Sequence, residues 1–212
     1  MGYFLTATFE KIAEMNKRVI IVSLLLVSIF LIFKYCSNKP EQPNDVEQRP
    51  APLNVSKNSG AFDDSFSKLL ESYYALKNAF VNADISKVNA AAAQLKQNTD
   101  GLNIDEIQGD TSGMIRETAK SFATNISGSA KTMADEGKIE DKLREFNIIT
   151  DALWSLTRTV KYGGQKVYYQ FCSQALDNMG GYWLSDKIDT DNPYIRTQSC
   201  SEVNDSLDYS TR

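Results

Sequence analysis

Between residues 62 and 160, apolar side chains recur at three- and four-residue spacing in four successive blocks separated by polar turns. Phe66, Leu69, Leu70, Tyr73, Leu76 and Phe80 form the first block, and Ile85, Val88, Ala92 and Leu95 the second. Met114, Ile115, Thr118, Phe122, Ile126, Ala130 and Met133 form the third, and Leu143, Phe146, Ile149, Leu153, Leu156 and Val160 the fourth. That period lays one apolar stripe along each of four helices. Asp63 or Asp64 offers an N-cap to the first helix and Asp84 to the second. Gly101 is expected to end the second by taking the left-handed conformation open to glycine. Gly128 sits inside the third at a cost of about 1 kcal/mol relative to alanine. The fourth opens near Ile139 and stops at Gly163 and Gly164. Four stripes joined by short loops are buried most simply in an up-and-down four-helix bundle.

Beyond the bundle the period changes. Residues 166–172, KVYYQFC, alternate and are rich in β-formers, and Gly180 and Gly181 precede Tyr182, Trp183 and Leu184. This predicts a small C-terminal β-hairpin appendage on a mostly α fold. Asn192, Pro193 and Tyr194 mark a turn.

At the other end, residues 19–33 (VIIVSLLLVSIFLIF) are apolar without interruption by charge, with Lys17 and Arg18 before them and Lys34 after. As a helix they would span roughly 22 Å at about 1.5 Å per residue, short of the ~30 Å hydrocarbon core. Residues 19–36 therefore read as a hydrophobic helix that is either a signal-peptide core or a tight membrane anchor. The basic residues before it direct the rest of the chain to the extracytoplasmic side. Residues 1–18 read as a cytoplasmic segment or as an overlong start, since Met15 opens an export-signal layout of its own. Cys36 is a candidate for lipidation, against which stand the large residues Phe33, Lys34 and Tyr35 before it; the other reading is an uncleaved anchor with an incidental cysteine. Residues 37–61 contain four of the five prolines and little that is apolar, the composition of a linker. The folded domain is expected over residues 62–203, and residues 204–212 read as a polar tail.

Charge and composition narrow the function classes. The chain carries −4 overall, and residues up to Cys36 hold four basic and two acidic side chains, so the downstream part carries −6. An acidic body argues against nucleic acid as a partner. There is no histidine, which removes the commonest general base and zinc ligand. The carboxylates Asp135, Glu136, Glu140 and Asp141 cluster at a predicted turn and read as a solvated helix start. Cys172 and Cys200 bracket the small appendage, and in an oxidising compartment such a pair is most simply a disulfide. Tyr168, Tyr169, Tyr182, Trp183 and Tyr194 are candidates for an aromatic binding platform, or for a small core closing the end of the bundle.

Three stretches carry a resemblance: YYALKNAFVNADISKVNAAAAQLKQ, IEDKLREFNIITDALWSLTRTV and, above all, VYYQFCSQALDNMGGYWLSDKIDTDNPY. Over about residues 62–203 the chain resembles an uncharacterised domain family of Gram-negative envelope proteins. That family is also found at the C-terminus of copper/silver-type heavy-metal efflux adaptors. Its final stretch typically reads Tyr-x-x-x-Cys-Pro-Met, Gly-x-Trp-Leu-Ser, Asn-Pro-Tyr and Met-x-x-Cys-Gly, and the resemblance implies a soft ion such as Cu(I) as a ligand of those elements. Gly181, Trp183, Leu184, Ser185, Asn192, Pro193 and Tyr194 match. Ser173 and Gln174 stand where proline and methionine are expected, and Ser201 stands for the glycine. The candidate soft-metal set shrinks to Cys172, Cys200 and Met179.

These readings combine into an expectation. The chain is a membrane-tethered, non-enzymatic binding or interaction module of the cell envelope, without a cofactor, whose partners are the membrane and an envelope protein. It sits on the periplasmic side of the inner membrane, or at the outer membrane if Cys36 is lipidated. The alternative is a soft-metal carrier using Cys172 and Cys200.

Overall fold

The structure, a computed structural model, describes residues 58–189, 191–195 and 200–210. The apolar run at 19–36, Cys36 and most of the proline-rich stretch lie outside the described residues. Four long helices and a small antiparallel sheet make up the described part. The helices are α1 (Gly60–Val81), α2 (Ile85–Asp100), α3 (Met114–Asp135) and α4 (Ile139–Val160). A 3₁₀ turn at Ile104–Glu106 interrupts the connection between α2 and α3. Among the described residues no helix is long and apolar enough to cross a membrane.

Each helix packs on the next in sequence. The predicted stripes bury as expected on α1, where Phe66, Leu69, Leu70, Tyr73, Leu76 and Phe80 are all in the core. On α3 the buried face is Ala119, Ala123, Ile126, Ala130 and Met133; Met114 and Thr118 point outward. Small residues on that face let α3 lie close to its neighbours. The seam between α1 and α4 is filled by rings instead. Tyr73 stacks on Phe146 at 5.3 Å, Phe80 meets Phe146 at 5.2 Å, and Phe66 stacks on Tyr162 at 4.4 Å.

The caps differ from expectation in three places. Ser59, not Asp63 or Asp64, caps α1, its hydroxyl accepting from the Phe62 amide at 3.2 Å. Gly101 ends α2 at φ −88°, outside the left-handed region. Lys161, at φ 50°, ends α4 before Gly163 and Gly164 are reached. Asp84 caps α2 as expected, accepting from the Lys87 amide at 3.0 Å. Lys142 is buried and donates to the Met133 carbonyl and to Asn89 Oδ1. Its ammonium thus sits against the C-terminal carbonyls of α3, where the helix dipole favours a cation.

The appendage is larger than a hairpin. Strands β1 (Val167–Cys172), β2 (Gly181–Ser185) and β3 (Glu202–Leu207) form an antiparallel sheet in the order β2-β1-β3. The third strand runs into the residues read from sequence as a polar tail. Its composition, EVNDSL, lacks the apolar alternation of a half-buried strand, because it is exposed on both faces. The sheet meets the bundle through β2, which contacts α4 and α1.

Candidate functional site

The junction between bundle and sheet is held by buried polar relays. The Leu184 amide donates to the Tyr73 hydroxyl at 3.0 Å. Tyr73 lies 2.7 Å from Thr150 Oγ1, and Thr150 donates to the Phe146 carbonyl at 2.9 Å. With the threonine proton committed, Tyr73 donates to Thr150. Asn147 Oδ1, one position along α4, accepts from the Tyr182 amide at 2.8 Å, and the Tyr194 hydroxyl, which donates to the Tyr182 carbonyl at 2.7 Å, lies 3.3 Å from it. Burial pushes the phenols of Tyr73 and Tyr194 well above their ordinary value, so both remain neutral donors.

On the far side of this junction, α4 and the sheet are joined by a column of rings. Trp154 stacks on Tyr169 and Tyr169 on Tyr182, each at 4.7 Å, and Phe171 tilts against Tyr182 at 4.6 Å. The Tyr169 hydroxyl donates to Asp151 on α4. Burial, and then the neighbouring Asp151 carboxylate, raise the Tyr169 phenol.

Four separate segments converge on a cleft of about 350 Å³. Phe80 closes the end of α1, with Ala83 at φ 51° in the turn that follows. The first turns of α4 contribute Ile139, Leu143, Glu140 and Arg144, which fall on one face through their four-residue spacing. The connection between β1 and β2 contributes Gln174, Leu176 and Asp177. There Leu176, Asp177 and Asn178 take φ values of 52°, 61° and 65°, one left-handed turn built without glycine, a conformation that costs roughly 1–2 kcal/mol per residue. Pro193, Tyr194 and Ile195 form the last wall. Its shape follows from Asn192, whose Oδ1 accepts from the Tyr194 and Ile195 amides and whose Nδ2 donates to the Cys200 carbonyl. Across the rim Arg144 reaches Asp177 at 3.3 Å and Asp141 at 3.9 Å.

The left-handed turn requires both glycines after it. Gly180 is at φ 87°, and a Cβ there would strike the Phe171 ring. A Cβ on Gly181 would strike Ala175 and the Tyr194 ring.

The structure separates the residues singled out from sequence. Cys172 and Cys200 stand at disulfide distance, with Cα atoms 5.2 Å apart. A bonded pair presents no thiolate, and the thiolate is the form that ligates metal. Met179 is 67% exposed on the β1–β2 connection. Among the described residues no group of three or more His, Cys, Asp or Glu is placed to hold a metal ion. The five platform aromatics do not share one surface, Tyr169 being stacked between Trp154 and Tyr182. Trp183 is 0% exposed, edge-on to Tyr194, with its Nε1 lacking a hydrogen-bond partner. Tyr168 carries the Lys166 ammonium over its ring at 4.8 Å. Tyr182 lies inside the ring column, and Tyr194 alone lines the cleft.

Sequence reasoning missed two contributors. Gln170 is fully buried, donating to Ser185 Oγ at 3.2 Å and to the Ile188 carbonyl at 2.9 Å while accepting from Ser201 at 3.2 Å. A glutamine between Tyr169 and Phe171 in a central strand is a detectable signal, since a buried amide there needs partners. The Arg144–Asp177 pair joins positions far apart in the chain, and nothing local announces it.

Fold and site together define a helical-bundle domain with a sheet-closed cleft. Residues 69–164 match the model of a family described as "Protein of unknown function (DUF3347)", a match that runs from within α1 to just past α4 and so covers most of the bundle. No curated protein and no solved structure matches the chain.

Proposed function

We propose that the chain is a non-enzymatic binding module whose contact site is the cleft between α1, α4 and the β1–β2 connection, tethered to a membrane through residues 19–36 on the extracytoplasmic side. The cleft carries this reading. Its volume lies in the range of about 300–1,000 Å³ typical of ligand sites, and its apolar walls with few polar groups have their usual composition. Phe80, Leu143, Leu176, Pro193, Tyr194 and Ile195 would receive an apolar group, while the Arg144–Asp177 pair fixes a charge pattern at the rim. The membrane and envelope setting is supported by the uninterrupted apolar run after Lys17 and Arg18, by a cysteine pair suited to an oxidising compartment, and by the resemblance of residues 62–203 to envelope domains. That same resemblance supports a metal-efflux assembly as the surroundings.

The test is partner capture from native membranes after mild solubilisation with the full chain and with Leu143→Arg, which fills the cleft with charge. A partner retained by the parent and lost from a variant of equal melting temperature supports the reading. Equal retention by both contradicts it.

A second reading, a soft-metal carrier, rests on Cys172, Cys200 and Met179. It requires reduction of the cysteine pair first, and it predicts stoichiometric Cu(I) uptake by the reduced protein that Cys172→Ser abolishes.

A further inference from the structure

The two edges of the sheet are finished differently. Along β2 the bundle closes the edge: the Tyr182 amide donates to Asn147, the Leu184 amide donates to the Tyr73 hydroxyl, and the Tyr182 carbonyl accepts from Tyr194 at 2.7 Å. Along β3, among the described residues, no such closure is present. This strand pairs with β1 alone, and residues 202–206 are exposed, with Val203 42% open to solvent. Asn204 has no partner where the register shifts between Tyr169 and Gln170. The Ser206 amide donates to the carboxylate of its neighbour Asp205 at 2.7 Å, which takes up that N–H within the strand itself.

An open strand edge is a template for another strand, with main-chain hydrogen bonds giving affinity and side chains giving selectivity. Charge decides which strand fits. Glu202 and Asp205 lie on β3 and Asp208 follows it. Lys166, which faces Asp208, is already placed over the Tyr168 ring. A second copy of this chain would bring carboxylates against carboxylates, which destabilises cross-strand pairing. The local bulge at Asn204 adds twist that disfavours flat edge-to-edge stacking. The geometry points to β3 as a docking edge for an extended lysine- or arginine-rich segment of a partner protein, which joins the sheet as a fourth strand. The site is separate from the cleft and stands or falls independently of it.

Hydrogen exchange read by mass spectrometry on the full chain in mild detergent tests this. The probe is a short synthetic peptide alternating lysine with valine and threonine, and the control carries glutamate for lysine. Exchange over Glu202–Leu207 should slow with the lysine peptide, which should bind about tenfold tighter than the glutamate peptide from two or three cross-strand charge pairs. Ser206→Pro places a proline ring in β3, which an added strand cannot pair with regularly, and should abolish that protection. If Ser206→Pro unfolds the sheet, Glu202→Lys combined with Asp205→Lys decides, since it should reverse the ranking of the two peptides. Protection elsewhere on the chain, equal affinity for both peptides, or an unreversed ranking would overturn the inference. Leu143→Arg, in the cleft, should leave every one of these results unchanged.

Discussion

At Tyr73 a single hydroxyl serves both parts of the domain, accepting from the Leu184 amide of the sheet and donating to Thr150 of the bundle. Both neighbours are buried, so removing the hydroxyl leaves the Leu184 N–H without water or protein to bond. Tyr73→Phe should therefore lower stability by about 1–3 kcal/mol, the cost of an orphaned buried donor, read as a shift in denaturation midpoint at constant m-value. A shift under a few tenths of that size would mean that the relay contributes little. Asp110 provides a pH test. Burial acts to raise its carboxyl, but amides of Arg116 and Ile115, the Ser112 hydroxyl and the Arg116 charge outweigh burial and hold it below its ordinary value. A carboxylate held low when folded binds fewer protons than when unfolded. Its stabilisation is complete above the unfolded value of about 3.9 and is lost as pH falls through the lower folded value. Melting temperature should fall below about pH 4, and Asp110→Asn should flatten that fall; an unchanged slope would contradict the assignment.

Elements were legible to the degree that their signal was local. The four helices follow from apolar spacing that tertiary packing did not need to override, and Asp84 is a cap whose partner lies three residues on. β1 and β2 were visible as β-formers around two glycines. β3 was not, because both its faces are solvated and no pattern of burial is written into EVNDSL. The left-handed turn at Leu176, Asp177 and Asn178 was equally hidden: none is a glycine, and Asp177 and Asn178, types that tolerate this conformation, are as common in ordinary turns. The cleft was illegible for the same reason, since its walls come from residues 80–83, 139–144, 174–177 and 193–195. The cysteine pair ties these walls together. Cys200 follows the Pro193–Ile195 wall, and Asn192 bonds its carbonyl. With the partners 28 positions apart in the chain, replacing both cysteines by serine should cost roughly 3–4 kcal/mol on the chain-entropy model. Chemical denaturation of the double variant, against the oxidised parent, checks this, and the same value for both would show that the pair adds nothing to the fold.

For the molecule as a whole, the matched family region covers most of the bundle, while the cleft is completed by elements outside it. A bundle of this kind supplies a rigid floor, with α4 contributing both the cleft residues Leu143 and Arg144 and the sheet anchors Asn147 and Asp151. The sheet then adds a wall whose position depends on Tyr73, Asn147 and the cysteine pair. Binding at the cleft should accordingly be sensitive to variants that never touch it, such as Tyr73→Phe, through movement of that wall.

That the cleft is the contact site can be tested by site-directed photo-crosslinking in native membranes. A photoreactive residue at Ile195, in the cleft wall, is compared with one at Met114, 71% exposed at the start of α3 and not among the residues that line the cleft. A discrete cross-linked partner is expected from position 195, suppressed by Leu143→Arg, and none from position 114. The same adducts from both positions, or a position-195 adduct indifferent to Leu143→Arg, would contradict it.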